Sequence, residues 1–270
     1  MRQKLACVII LYEMSFLNNI KKVFKNPRFA LLFIPVELLN FIVGVFSKSR
    51  MGGGESQLTD IQELGEVRKY ARTVKGAIGD HLTTLFIESL LAKPKLIVEL
   101  GVRGGDSTYV LECVAKMCKA YLVSVDIDDF NGDINYEKWE FVRADDLKLA
   151  KDFGRWCKKR KIKPTIDVLF IDTSHYFDHT REEIKAWFPF LSTKARVFFH
   201  DTNLRTIYPK KDGRFGVGWN NKRGVIRALE DYLGKTFNER VDFIDIVGGW
   251  LVRHTDYSGG FTTLLRVDVK

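Results

Sequence analysis

Cysteine is scarce in this chain of 270 residues, and the four that occur are scattered. Cys7, Cys113, Cys118 and Cys157 form no C-x-x-C pair and cluster with no histidines. This spacing argues against a zinc site and against a disulfide framework, and it favours reduced thiols in a cytosolic compartment. Repeats and signs of disorder are lacking as well. At 46% hydrophobic residues, the chain can form one α/β domain with a full core plus an extension.

The net charge of +9 is unevenly distributed along the chain. Residues 1–50 carry eight lysines and arginines against two acids, whereas the remaining 220 residues carry 35 against 32. A nucleic-acid enzyme needs a basic face on its folded domain, so this distribution argues against a nucleic-acid partner. The chain also lacks an Asn/Asp-Pro-Pro-Tyr motif and a catalytic cysteine motif of nucleic-acid methylation.

The longest apolar segment, Phe29–Phe46, is only 18 residues long and is interrupted by Pro35, Glu37 and Asn40. An acid at bilayer depth is costly, so we do not expect a simple membrane span. Two alternatives stay open. Residues 21–50 lie on a membrane surface as an in-plane helix with cationic flanks, or an amphipathic helix packs on the domain or on a second subunit. No cleavage site of a secretory signal follows the segment.

A stretch rich in glycine and serine, Ser47–Ser56, is predicted to be a flexible linker. We therefore divide the chain into an apolar and basic N-terminal extension, 1–50, and a second domain, 51–270. Beyond the linker, Thr59–Tyr70 and Gly79–Leu91 have helical spacing. The location predicted for the protein is cytoplasmic, with the inner face of a membrane as the place where the extension would act.

An apolar run from Leu96 leads into a glycine turn, LIVELGVRGGDST over 96–108. The turn lacks the G-x-G-x-x-G spacing that lets backbone approach a pyrophosphate. Glu99 stands directly before it, and a carboxylate there repels phosphate and suits a cation. S-adenosylmethionine (SAM) has no phosphate and carries an ammonium and a sulfonium. The pattern therefore favours SAM as the cofactor.

The next two predicted strands end in acids as well. Asp126, in the run Tyr121–Asp129, is placed to accept hydrogen bonds from ribose hydroxyls. Asp145 and Asp146, after the strand Trp139–Arg143, fall where an adenine amino group needs an acceptor. The predicted cofactor-binding residues are Glu99, Gly101, Arg103, Gly105, Ser107, Asp126, Ile127, Asp145, Asp146 and Asp172.

Two further apolar runs, Ile166–Ile171 and Ala195–Phe199, carry polar residues at their ends. The first is followed by Asp172 and His175, and the second by His200-Asp201-Thr202-Asn203. Continuous apolar runs are typical of parallel strands buried on both faces. Because such strands end at the same sheet edge, we expect their polar ends to meet in one crevice with Glu99 and Asp126.

These motifs carry a family resemblance. ELGVRGGDST resembles the turn of the catechol O-methyltransferase-like branch of class I SAM-dependent methyltransferases. The segments around Asp172 and His200 look most like the cephalosporin hydroxylase and rhamnosyl O-methyltransferase family. The resemblance covers about residues 60 to 268 and implies a Rossmann-like α/β fold with helices on both faces. It implies a mostly parallel sheet of seven strands whose last strand is antiparallel, SAM as methyl donor, and a hydroxyl as acceptor.

The resemblance also implies a divalent metal, usually Mg²⁺, held by Asp172, Asp201 and the neighbouring His200. Oxygen ligands suit this hard cation, but His200 stands where relatives more often have an acid, and an imidazole is a poor Mg²⁺ ligand. His200 is alternatively the general base, with His175 as its rival and Asp172 as the third catalytic residue.

A long loop, Leu204–Gly224, follows the second polar cluster and holds six cations against one acid, with Tyr208, Phe215 and Trp219 interleaved. We interpret it as an acceptor-binding lid. Its cations suggest an anionic acceptor and its aromatics suit sugars, so a small molecule or glycan is the predicted substrate. A solvated basic loop is the alternative. A non-catalytic SAM-binding scaffold and a methyltransferase for nucleic acid or protein are the rival functions, and a homo-oligomer stays open.

The end of the chain contains Val241–Val247 and Phe261–Val269, which are predicted as the last two strands, with an extended piece, Trp250–His254, between them.

Overall fold

The computed structural model describes residues 32, 35–41, 61–130, 132 and 134–267. Most of the N-terminal extension and all of the predicted linker Ser47–Ser56 lie outside these residues. Among the described residues, no helix is long and apolar enough to cross a membrane. The boundary predicted between residues 50 and 51 stays a prediction.

Six α-helices and ten strands follow one another along the chain from residue 61, joined in two places by short 3₁₀ turns at Ala77–Asp80 and Phe188–Phe190. The helices are α1 (Gln62–Thr73), α2 (Leu82–Leu91), α3 (Asp106–Cys118), α4 (Asp146–Lys159), α5 (Phe177–Trp187) and α6 (Gly224–Leu233). The strands are β1 (Leu96–Leu100), β2 (Tyr121–Asp126), β3 (Trp139–Arg143), β4 (Ile166–Ile171), β5 (Leu191–His200), β6 (Ile207–Pro209), β7 (Phe215–Val217), β8 (Phe243–Val247), β9 (Trp250–Thr255) and β10 (Phe261–Arg266).

The main sheet has eight strands in the order β3-β2-β1-β4-β5-β10-β9-β8. β1 to β5 are parallel, and β10 pairs antiparallel with β5. The predicted fold class and its antiparallel last strand are confirmed. The sheet has one strand more than expected because the piece after Gly249 is β9, which pairs with both β8 and β10.

The helices cover both faces of the sheet, as the buried side chains of β1 show. Leu96, Val98 and Leu100 belong to the core beneath α4, α5 and α6, whereas Ile97 belongs to the core beneath α1, α2 and α3. All five residues of β1 are buried. A parallel strand covered on both faces explains the continuous apolar runs in the sequence.

The loop predicted as a lid contains a small hairpin, formed by β6 and β7. The N-terminal helical segment, which we define as residues 35–41, contacts this hairpin. Asn40 Nδ2 donates to Phe215 O at 2.8 Å, and Phe215 N donates to Asn40 Oδ1 at 2.9 Å. Val36 is buried, while Leu38, Leu39 and Phe41 are exposed. Part of the extension therefore packs on the lid.

Candidate functional site

The glycine turn after β1 packs directly against the end of β4. Gly101 has φ +88°, and a Cβ at this position would overlap the carbonyl oxygen of Asp172. Asp172 N donates to Leu100 O at 2.8 Å, and Gly101 N donates to Val125 O at 2.8 Å. Only glycine fits this conformation and this close approach. The turn is thereby fixed beside the polar end of β4.

Glu99 is fully buried beneath this turn rather than open to a crevice. Its side chain lies on the same face of β1 as α3 and accepts hydrogen bonds from three hydroxyls: Ser107 Oγ at 2.6 Å, Thr108 Oγ1 at 2.8 Å and Ser124 Oγ at 2.6 Å. Burial raises the pKa of Glu99 to about 7, although the three hydroxyls act in the opposite direction. The carboxylate holds the start of α3 against β2, and the role of Glu99 toward a cationic cofactor stays a prediction.

Asp126 lies at the tip of β2, half-buried, and its carboxylate holds the glycine turn. Val102 N and Arg103 N donate to Oδ2 at 2.7 and 3.0 Å, and Asp128 N donates to Oδ1 at 3.0 Å. Burial alone would raise the pKa of Asp126, but these backbone donors outweigh it and lower the pKa. Ile127, the next residue, is 67% exposed at the same edge.

The paired acids before α4 face different directions. Asp145 caps the helix, since its Oδ1 accepts from Lys148 N at 3.0 Å. Asp146 is buried, and its Oδ1 lies 3.2 Å from His179 Nε2. The sequence treated both acids as adenine acceptors, but the side chain of Asp146 is turned toward α5. Only Asp145 keeps that assignment, because helix geometry sends consecutive side chains to different sides.

A cluster of four titratable side chains, Asp172, His175, His200 and Asp201, joins the carboxyl ends of β4 and β5. His175 Nε2 donates to Asp172 Oδ1 at 2.8 Å, and His200 Nδ1 lies 3.1 Å from the same oxygen. Asp201 Oδ2 lies 3.6 Å from His175 Nε2, and Asp201 Oδ1 lies 3.5 Å from His200 Nδ1. The structure therefore brings together the four residues that the sequence placed at two separate strand ends.

The two carboxylates and two imidazoles of this cluster shift each other's pKa values. Burial alone would lower the pKa of His200, but Asp201 and Asp172 outweigh it and raise the pKa to about 9. The pKa of His175 is raised as well, because its hydrogen bond to Asp172 and the charge of Asp201 outweigh its burial. Burial opposes the charge of Asp172 too, yet the imidazoles hold its pKa far below the usual range. Burial raises the pKa of Asp201.

Three atoms of the cluster are buried without a hydrogen-bond partner in the described part of the chain: His175 Nδ1, His200 Nε2 and Asp201 Oδ1. Asp172, His175 and Asp201 each offer one atom to a set that lies within 4.8 Å of one another. The predicted metal ligands Asp172 and Asp201 are thus together, but the imidazole in this set is His175 rather than His200. The side chain of Asp172 is 22% exposed, which makes it the most accessible of the four.

Several neighbours of this cluster have no clear signal in the sequence. His81 packs edge-on to His200 with 5.7 Å between ring centroids and stacks on Tyr257 and Phe261. Burial lowers the pKa of His81 to about 3, so this imidazole is neutral. Gly259 leaves room for Asp201, whose Oδ1 a Cβ there would overlap. The adjacent glycines Gly259 and Gly260 are a sequence signal that could have indicated this close backbone approach.

The lid presents fewer free cations than its composition suggests. Four of its six basic side chains already have partners: Arg205 with Asn203, Lys210 with Lys75 O, Arg214 with Asp212, and Arg223 with Glu230 and Glu239. Lys211 and Lys222 are exposed. Among the described residues, acidic partners neutralise only Arg214 and Arg223 of the six cations, so the lid keeps a positive charge and the anionic acceptor stays a prediction.

An aromatic side chain of the lid contacts the cluster of Asp172, His175, His200 and Asp201. The Trp219 ring stacks on the His175 imidazole with 5.6 Å between centroids and an interplanar angle of 24°. Trp219 is nevertheless 52% exposed, so one part of its ring remains open to solvent.

The segment that contains this cluster matches a known family model. Residues 98–202 match the model described as a methyltransferase domain. The match runs from β1 to the residues just after β5, and it therefore includes the glycine turn and both polar strand ends. Residues 98–202 are therefore similar in sequence to a methyltransferase domain.

Three solved methyltransferase structures are similar to the chain at a distance. CalS11, a TDP-rhamnose 3'-O-methyltransferase of calicheamicin biosynthesis, is 12% identical over 77% of this chain and 93% of its own, with a TM-score of 0.47. PaMTH1 of Podospora anserina, bound to SAH, is 14% identical over 77% and 89%, with a TM-score of 0.47. The Bacillus cereus O-methyltransferase, in complex with SAH, is 14% identical over 78% and 93%, with a TM-score of 0.45. No curated protein is similar enough in sequence to count as a relative.

Proposed function

We propose that this methyltransferase transfers the methyl group of SAM to a hydroxyl of a sugar, a glycan or another small molecule. The observation that carries the proposal is the contact between His200 and Asp172, which joins the ends of β5 and β4 beside the glycine turn. Titratable groups whose environment pushes their pKa values apart are typical of sites for acid–base chemistry.

Residues at the ends of β1 to β3 are assigned to the cofactor. Asp126 accepts the ribose hydroxyls, the exposed Ile127 covers one face of the adenine, and Asp145 accepts from the adenine amino group. Arg103, Gly101, Gly105 and Ser107 shape the turn around the methionine end. Bound SAM supplies an electrophilic methyl group on a sulfonium, and Glu99 supports this region by holding Ser107 and Thr108 in place.

An acceptor hydroxyl has to lose its proton as the methyl group arrives, and His200 and His175 are the candidates to take it. The pKa of His200 is raised to about 9, so at neutral pH His200 holds a proton that it must first release, and the pKa of His175 is raised as well. A cationic ligand beside the cluster would lower these pKa values, because it opposes the carboxylates that raise them. Asp172 contacts both imidazoles and orients them.

The donor atoms of the cluster fit a divalent cation. Two carboxylates converge there, and Asp201 Oδ1 is buried without a partner among the described residues. We assign Asp172 and Asp201 as the ligands of Mg²⁺, with an imidazole of the cluster beside them. A bound Mg²⁺ would polarise the acceptor hydroxyl and lower its pKa.

The acceptor is assigned to the space between the lid and the catalytic cluster. Trp219 offers an exposed aromatic face next to His175, and such faces suit the apolar side of a sugar ring. The two exposed lysines, Lys211 and Lys222, are the cations left to meet an acidic group on the acceptor.

The N-terminal extension is assigned to a membrane surface. Leu38, Leu39 and Phe41 project exposed apolar side chains from the segment that Asn40 ties to the lid. If a version that lacks residues 1–50 sediments with anionic vesicles as well as the full chain does, this assignment fails.

The test of the proposed function separates cofactor binding from transfer. Calorimetry measures SAM and SAH binding to the full chain with and without Mg²⁺, and labelled SAM then reports methylation of a panel of sugars, nucleotide sugars and catechols. Asp172→Asn and His200→Gln should each lower transfer by about 100-fold or more while SAM affinity stays within a few-fold. Asp152→Asn, an exposed change on α4, is the matched control. Unchanged turnover in the first two variants removes them from the mechanism, and absence of SAM binding overturns the proposal.

A further inference from the structure

A second cluster with metal-ligand chemistry lies outside the catalytic cluster, between α4 and α5. It consists of Asp146 at the start of α4 and of His179 and Glu183, one turn apart on α5. The ligand atoms of the three side chains all lie within 4.8 Å of one another. We call this group the α4–α5 cluster.

The distances within the α4–α5 cluster suit one shared ion. His179 Nε2 lies 3.2 Å from Asp146 Oδ1 and 3.5 Å from Glu183 Oε1. Two ligand atoms that each lie about 2.1 Å from a tetrahedral Zn²⁺ are roughly 3.4 Å apart. The spacing seen between side chains therefore matches the spacing that a small transition-metal ion requires.

The α4–α5 cluster contains more acidic than basic side chains, and its two acids are buried. Glu183 is fully buried and Asp146 is only 7% exposed, so two carboxylates face a single imidazole. Glu183 Oε2 and Asp146 Oδ2 are both buried and have no hydrogen-bond partner in the part of the chain that the structure describes. Buried polar groups without partners are rare and point to an ion or a water that satisfies them.

Further contacts supply the support that a metal site needs. Thr173 Oγ1 donates to Glu183 Oε1 at 2.7 Å and orients that carboxylate from outside the cluster. The side chain of His179 is 29% exposed, so an ion can reach the cluster from solvent.

We propose that Asp146, His179 and Glu183 form a binding site for a divalent transition-metal ion of the Zn²⁺ type, separate from the catalytic cluster. One imidazole and two carboxylates, with water as a fourth ligand, are a donor set that Zn²⁺ accepts. The bound ion joins the start of α4, next to the cofactor acid Asp145, to α5 and through Thr173 to the end of β4. Its function is to stabilise this side of the fold.

The experiment uses full-length protein stripped of metal by a chelator, with Zn²⁺ and Co²⁺ as probes. Calorimetry measures Zn²⁺ affinity, the visible spectrum of Co²⁺ reports coordination, and the thermal midpoint reports stabilisation. His179→Gln and Glu183→Gln are compared with the double variant Asp172→Asn/Asp201→Asn, which removes the carboxylates of the catalytic cluster. Methyl transfer is not a readout, so the result is independent of the proposed function.

The expected result is that the double variant Asp172→Asn/Asp201→Asn still binds one Zn²⁺ at the α4–α5 cluster, with the affinity that this site has in the wild type, where a second Zn²⁺ can occupy the catalytic cluster. His179→Gln should bind it at least about 10-fold more weakly and lose the rise of the thermal midpoint that Zn²⁺ causes. Circular dichroism checks folding, and Glu183→Gln, which keeps the side-chain shape, serves if His179→Gln does not fold. Equal Zn²⁺ affinity in wild type and both α4–α5 variants overturns the proposal, and so does loss of binding only in the catalytic-cluster variant.

Discussion

His200 Nδ1 lies 3.1 Å from Asp172 Oδ1, so the ends of β5 and β4 are linked through their side chains. The same carboxylate oxygen accepts a hydrogen bond from His175. Asp172 therefore shares its charge between two imidazoles, and whichever of them is deprotonated first is the one that can act as a base. The properties of the site depend on this contact more than on any single residue.

The first prediction concerns the pH dependence of methyl transfer. The pKa of His200 is raised to about 9 without ligand, and a cation bound beside it lowers this pKa, so kcat/KM should rise with pH and level off at or below about pH 9. Asp201 contributes to the raised pKa, and Asp201→Asn should move the rising limb to lower pH. The measurement is kcat/KM between about pH 6 and 10 with SAM saturating. A profile that is flat over this range contradicts the assignment of a histidine base.

The second prediction concerns cofactor affinity. Asp126 is assigned to the ribose hydroxyls and also holds the turn through Val102 N and Arg103 N. Asp126→Ala should weaken SAM binding by about 10-fold or more, because charge-assisted hydrogen bonds are lost. Calorimetry with SAM and SAH provides the measurement. Asp129→Ala, an exposed acid three residues away, is the control, and equal affinity in both variants would refute the role of Asp126.

The third prediction compares two glycines of the same turn. Gly101 has φ +88° and no room for a Cβ beside Asp172 O, whereas Gly104 has nothing within 4 Å of that position. Gly101→Ala should therefore lower the free energy of unfolding by about 3 kcal/mol or more, and Gly104→Ala should change it by less than about 1 kcal/mol. Urea denaturation measures both. Similar losses in the two variants would show that the turn is not fixed by this close approach.

The fourth prediction concerns Glu99 and the pH dependence of stability. Its pKa in the folded protein, about 7, lies above the ordinary value of a glutamate, so the folded state binds the proton more tightly than the unfolded state. The free energy of unfolding must then fall as the pH rises from the ordinary pKa of a glutamate to about 7, by up to roughly 3 kcal/mol. Glu99→Gln should remove this part of the decline. The free energy of unfolding is measured for both proteins at about pH 5 and pH 8, and an identical decline in both contradicts the prediction.

The meeting of polar strand ends was the part of the site that sequence could predict. Buried apolar runs identify parallel strands, and parallel strands place their carboxyl ends at one edge, so Asp172 and His200 had to be neighbours. The turn at Gly101 could be predicted from the sequence as well, because it directly follows a buried strand.

Side-chain directions and short strands were beyond the reach of sequence patterns. The segment from Glu99 to Thr108 does not predict that three hydroxyls surround the Glu99 carboxylate, because one of them belongs to Ser124 on the neighbouring strand β2. Asp145 and Asp146 look equivalent in sequence, yet the helix sends one to its cap and the other toward His179. The hairpin of β6 and β7 has three residues in each strand, too few to show a period.

The lid prediction rests on Trp219, whose ring stacks on His175 yet remains half exposed. If an acceptor sugar packs on this ring, Trp219→Ala should raise the KM of the acceptor by about 10-fold while SAM affinity is unchanged. Trp219→Phe keeps an aromatic face and should recover part of the loss. A change in KM alone indicates that Trp219 binds the acceptor. If Trp219 only supported His175, its loss would instead lower kcat and alter the pH dependence of kcat. An unchanged KM in Trp219→Ala would move the acceptor away from this face of the lid and leave the exposed lysines as its remaining contacts there.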